Sequence, residues 1–243
     1  MRIAAATAIA IAIGLAVSLS SVVHANEEKL DYDHQEKWQS ALDRAQSPID
    51  IVTAQTVRAE DNEPLGLQLW HTQAPIEKAE DNGHAVQVNT HATEAMIRGR
   101  HFTLAQFHFH AESEHTLDAK HYPLEGHFVF KAQDGRLAVI GVMYQVGDGN
   151  PAAQAVIDDL EAKDGKLPQP SIDIASLLPN QRDYYHYLGS LTTPPLTENV
   201  EWYVLPTPVT MSEKQMTTFL SHYPHNNRKI QPLNGRAVVH HQG

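Results

Sequence analysis

The chain has 243 residues, a formal net charge of −11 and no cysteine. That length suits one large domain with a packed core, and the acidic balance argues against a grip on nucleic acid or an anionic membrane. Without thiols there can be no disulfides, and metal ligands are limited to Asp, Glu and His, the last present 16 times.

Residues 1–25 read as a secretory signal peptide. Arg2 supplies the positive start, an apolar run follows from Ile3 to about Val17, and Val23-His24-Ala25 forms a cleavage motif before Asn26. A transmembrane anchor is the competing reading, because the run approaches spanning length. The many alanines and the Val-x-Ala ending favour cleavage, and so export to the periplasm or beyond. Residues 26–243 show no repeat and no linker, and are expected to form one domain.

In chain order, alternating patterns predict strands over 85–89, 104–110, 125–131, 137–146 and 200–205. Turns are marked by Asp81-Asn82-Gly83, Asp134-Gly135 and Gly147-Asp148-Gly149-Asn150. One helix follows Asn150 as cap and Pro151 as first residue, with Ala153, Val156, Ile157 and Leu160 at helical spacing. A second begins at a capping box of Ser212 and Gln215, ahead of Met216, Phe219 and Leu220. The expected class is mainly β (α+β): a large, central, twisted and mostly antiparallel sheet with a few peripheral helices.

The strand "QFHFH" carries the first chemistry. Alternation puts His108 and His110 on one face and Phe107 and Phe109 on the other. "LEGHFVF" repeats the pattern, with Glu125 and His127 on one parity and Phe128 and Phe130 on the other. Laid antiparallel, the two strands bring His108, His110 and His127 to one patch. Three imidazoles there are hard to explain as core, since each ring needs its polar atoms satisfied; three nitrogens closing on zinc, with a fourth position for water, explain them. Neutral ligands would leave the ion its full charge and make that water acidic. Gln106 and Glu125, each two residues before a ligand, can fix imidazole tautomers. Glu125 could instead be a fourth ligand, which would leave no place for water.

"QFHFHAESEHTLDAKHYPLEGHFVF" and "YLGSLTTPPLTENVEW" resemble the two signature regions of the α-class carbonic anhydrases. "QSPIDI", "NGHAVQV", "LAVIGVMYQVG" and "NNRKIQPLNGR" follow in the family's order, so the resemblance covers nearly all of residues 26–243. It implies reversible hydration of carbon dioxide to bicarbonate and a proton by a zinc-bound hydroxide, at a zinc site at the base of a cleft. The family is itself the reference case for three-histidine zinc and for a bound water of pKa about 7.

Carried over residue by residue, the resemblance makes Thr192 a gatekeeping hydroxyl that bonds to Glu114, and His84 the proton shuttle. It makes Val129, Val139, Leu191, Val200 and Trp202 the apolar wall for carbon dioxide, and Tyr32, Asn82, Gln87 and Thr193 the polar side of the cleft. His115 matches a buried structural position, while His240 and His241 read as a frayed tail. The implied partners are carbon dioxide and bicarbonate, with anions and sulfonamides as inhibitors and weak ester hydrolysis as a side reaction; a homodimer is the protein partner to test for. Many exported relatives link cysteines where Ser40 and Leu196 stand here, and the usual aromatic pair near the N-terminus is altered, with Leu30 before Tyr32. Two other readings stay open: a catalytically silent relative, and a zinc hydrolase acting on esters.

Overall fold

The computed structural model describes residues 30–60, 68–91, 93–162, 171–181 and 183–242; the export segment expected over residues 1–25 lies outside them. In chain order the strands are β1 (Asp50–Ile51), β2 (Val57–Arg58), β3 (Gln68–Trp70), β4 (Gln73–Asp81), β5 (Val86–Thr90), β6 (Glu94–Ile97) and β7 (Arg100–His110). They continue as β8 (Thr116–Leu117), β9 (Leu124–Lys131), β10 (Leu137–Val146), β11 (Ser171–Asp173), β12 (Tyr184–Ser190), β13 (Glu198–Met211) and β14 (Val239–His241). The helices are α1 (Pro151–Leu160) and α2 (Glu213–His222).

Twelve of these strands form one sheet, in the order β11-β4-β5-β7-β9-β10-β13-β12-β14-β2, with β6 also on β7 and β3 on β6. Pairing is antiparallel except at β10–β13 and β14–β2. The β10–β13 pair lies at the centre, so the sheet is mixed there.

Both helices start as their sequences dictate. Asn150 Oδ1 accepts from the backbone N–H of Ala152 and Ala153, and Ser212 and Gln215 close a reciprocal capping box. Their apolar sides cover one face of the sheet, where Phe107, Phe109, Phe128 and Phe130 share a core with Val156, Ile157, Met216 and Phe219. Phe107 stands opposite Phe128 in the β7–β9 register and stacks on it with centroids 5.2 Å apart. Truncating one such buried ring to Ala costs about 3–5 kcal/mol. The opposite face carries a second apolar cluster around Val139, Val200, Trp202 and Tyr187.

On that face, register builds the site row by row. One row runs Glu80–Gln87–His108–His127–Gly141–Val204 across six strands. The next runs Asn89–Gln106–Val129–Val139–Trp202–Tyr187. Directly paired residues point to the same side of a sheet, so a polar row and a largely apolar row lie side by side.

The expected frayed tail is not found. His240 and His241 pair with β12 as part of β14, and His241 is buried and stacked on Tyr184 at 4.4 Å. Burial of an aromatic face outweighs the ordering cost of these last residues.

Candidate active site

The rows bring His108, His110 and His127 together. One nitrogen from each lies within 4.8 Å of the other two, with ring centroids 4.6–5.3 Å apart. Each ring is held from behind. His108 Nδ1 lies 2.8 Å from Gln106 Oε1, so that nitrogen carries the proton and Nε2 faces the cluster. His110 Nδ1 donates to the carbonyl of Asn226 at 2.7 Å, which leaves its buried Nε2 without a partner. His127 Nε2 lies 3.0 Å from Glu125 Oε1, off the line of a full hydrogen bond, and Nδ1 is the atom left for the cluster.

Glu125 is completely buried and serves two histidines. Its Oε2 accepts from the backbone N–H of His115, and its Oε1 pairs with His115 Nδ1, both at 2.8 Å. His115 Nε2 lies 2.6 Å from the Tyr187 hydroxyl, which reaches Ser47 Oγ at 2.8 Å. Burial alone would raise the Glu125 carboxyl, but the charges of His115 and His127 outweigh it and hold it well below the usual range. Burial, with His110 and His127 nearby, presses His108 well below 6.5, and His110 also lies low, chiefly through burial. Burial acts downward on His127 too, yet the Glu125 carboxylate lifts it above its ordinary value.

A cavity of about 170 Å³ opens onto this cluster. His84, Gln87, Gln106, Thr192 and Thr193 line its polar side, and Val129, Val139, Leu191 and Trp202 its apolar side, with His108 and His127 at its base. The other predicted residues stand back from it. Val200 is buried beneath the wall. Asn82 donates to Gln87 Oε1 at 3.0 Å and accepts from the N–H of His84 and Ala85. This turn needs Gly83, whose φ of +90° suits glycine. Tyr32 lines a separate hollow with Gln35 and Arg228; its hydroxyl is raised by burial and by the charge of Glu114.

The expected Thr192–Glu114 hydrogen bond is not formed. Glu114 Oε1 accepts from the Arg228 backbone N–H at 2.7 Å, and Oε2 is buried without a partner. The carboxylate is turned instead against the rings of His110 and His127, 3.6 and 3.8 Å away, where imidazole dipoles offset part of the cost of burying it.

Asn226 is one residue that sequence reasoning missed. It is fully buried. Its carbonyl orients His110, its Oδ1 accepts from Ala111 N, and its Nδ2 donates to the carbonyls of His84 and Phe109. The segment "NNRKIQPLNGR" was recognisable, but a role played by a main-chain carbonyl leaves no mark in residue type. Tyr187 was missed for a different reason: its partners lie 72 and 140 residues away.

Three nitrogen donors with fixed tautomers, one of them a buried orphan, fit a divalent ion that prefers imidazole. Comparison with known proteins identifies the family. A family model described as eukaryotic-type carbonic anhydrase matches residues 31–242. The chain belongs to the α-carbonic anhydrase family. A carbonic anhydrase of Pectobacterium carotovorum is 43% identical over 202 residues, covering 80% of this chain and 79% of the relative. One from a Nostoc species is 37% identical, covering 82% and 76%. Among solved structures, the α-carbonic anhydrase of Thermovibrio ammonificans, in complex with the inhibitor sulfanilamide, superposes with a TM-score of 0.72 at 40% identity, covering 81% of this chain and 87% of that one. The enzyme is thus a carbonic anhydrase, and its general reaction is the hydration of carbon dioxide.

Proposed function

We propose that this carbonic anhydrase works with one zinc ion, held by Nε2 of His108, Nε2 of His110 and Nδ1 of His127. The observation that carries the reading is the convergence of these three nitrogens at the base of a cavity with one polar and one apolar side. What the ion would supply when bound is Lewis-acid chemistry, acidifying a water enough to give a nucleophile at neutral pH. The rest is the work of the chain. Gln106, the Asn226 carbonyl and Glu125 keep each imidazole in its donor tautomer. Val129, Val139, Leu191 and Trp202 take up a small apolar substrate that needs no hydrogen bond. Thr192, which lines the cavity, orients the attacking oxygen, and its backbone N–H meets anions and sulfonamides. His84, at the cavity wall, takes the proton away.

Weak hydrolysis of activated esters would follow as a side activity. Export through residues 1–25 would place the enzyme in the periplasm or outside the cell, and the protein recovered there should begin at Asn26. The test of function is stopped-flow carbon dioxide hydration by chelator-stripped protein before and after addition of one equivalent of zinc. Activity should be absent before and restored after. Equal activity in both samples, with zinc shown to be absent from the first, would sink the proposal.

A further inference from the structure

We propose that Glu80 is a positioning residue: its carboxylate sets the direction of a chain of three amide side chains that ends on the turn carrying His84. Asn89 Nδ2 donates to Glu80 Oε1 at 3.0 Å, and Gln87 Nε2 donates to Asn89 Oδ1 at 2.8 Å. Asn82 Nδ2 then donates to Gln87 Oε1 at 3.0 Å. At the inner end Asn82 Oδ1 accepts from the backbone N–H of His84 at 3.1 Å and of Ala85 at 2.8 Å. The other side of the turn is held by Asn226, whose Nδ2 donates to the His84 carbonyl.

An amide has a donor end and an acceptor end, while an ionised carboxylate only accepts. Glu80 therefore obliges Asn89 to offer its NH₂ outward and its oxygen inward, and each amide passes the same direction to the next. The two backbone N–H groups at the inner end demand an oxygen from Asn82, so both ends of the chain agree. The β4–β5 register makes this possible by placing Glu80 opposite Gln87 and beside Asn89. Glu80 is itself held by an ion pair with Lys78. A donor at position 80 would reverse the outer amides and set two NH₂ groups against each other inside the chain. The conflict is relieved most cheaply at the turn, by letting go of His84.

The kinetic part of the test rests on the reading of His84 as the group that removes the proton, and a second readout does not. Glu80→Lys should raise the hydrogen-exchange rate of the His84 and Ala85 amides by about tenfold, while Glu80→Gln, which can still accept through its oxygen, should stay near wild type. In dilute buffer, Glu80→Lys should lower kcat by on the order of tenfold with kcat/KM preserved, and added imidazole should restore it. His84→Ala, measured alongside, separates the two ideas. If it leaves kcat unchanged while exchange still responds to Glu80→Lys, the role of His84 falls and that of Glu80 stands. Should Glu80→Lys fail to fold, Asn89→Leu cuts the chain and must raise the same exchange rates. Unchanged exchange in whichever of these variants folds would overturn the proposal, as would equal losses in kcat and kcat/KM.

Discussion

Glu125→Gln is nearly isosteric, yet it should disturb the metal site through a proton rather than through shape. In the wild-type protein Oε1 is shared between His115 Nδ1 at 2.8 Å and His127 Nε2 at 3.0 Å, while Oε2 accepts from His115 N. If the new NH₂ takes the place of Oε1, both imidazoles must turn an unprotonated nitrogen toward it. His127 then carries its proton on Nδ1, the atom needed for the metal. If the NH₂ takes the place of Oε2, it meets the His115 N–H donor to donor, and a buried hydrogen bond worth about 1–3 kcal/mol is lost. Paying in the first way weakens zinc binding by roughly 10–100-fold, or about 1.4–2.7 kcal/mol. Competition with a chelator at fixed pH, together with the zinc dissociation rate, measures this directly. A Glu125→Gln protein matching the wild type in both would refute the tautomer argument.

Gly141→Ala should give a related defect from the other side, because an added Cβ would lie 2.8 Å from Glu125 Oε1; a lower melting temperature and faster zinc loss are expected, and unchanged values would show that the carboxylate can move freely. Thr192→Ala should retain zinc but lose kcat/KM by about 100-fold, since the attacking oxygen is no longer aimed; normal hydration would place the gatekeeper elsewhere. Acid should expose the worth of the Glu125 charge. Its folded pKa lies well below the unfolded value, so its contribution is complete above about 4.5 and disappears as pH falls through the folded value. The stability gap between metal-free wild type and Glu125→Gln should therefore close on acidification, and a gap that widened would contradict the assignment.

Much of this fold was legible because the central strands are amphipathic in a simple way. Phe107 and Phe109 against His108 and His110 announce which face joins the apolar core under the helices, and the pattern over residues 137–146 coincides with β10. Strand β4 was not read, because "QAPIEKAED" buries only Ala74, Ile76 and Ala79 and otherwise shows charge. Strand β12 was missed as well; its buried tyrosines are polar at the tip, and of its two partners β13 follows directly while β14 lies about 50 residues on. In the site, the cluster of His108, His110 and His127 and its Gln106 and Glu125 partners follow from strand parity. The Asn226 carbonyl does not, being main chain, and neither does the division of labour in which Glu125 binds His115 more closely than His127. Of what resemblance alone carried, His84, Gln87, Thr193 and the apolar wall apart from Val200 line the cavity, whereas Tyr32 and the Thr192–Glu114 bond came out differently.

Among the described residues, two overlapping groups of donors could hold the metal: His108, His110 and His127, or His115, Glu125 and His127. Anomalous diffraction at the zinc edge from crystals of the zinc-loaded protein distinguishes them in one map. Zinc at His108, His110 and His127 would give a single peak at the cavity base with three nitrogen ligands at about 2.0–2.1 Å. A peak between His115, Glu125 and His127, with a carboxylate oxygen as ligand, would contradict that placement.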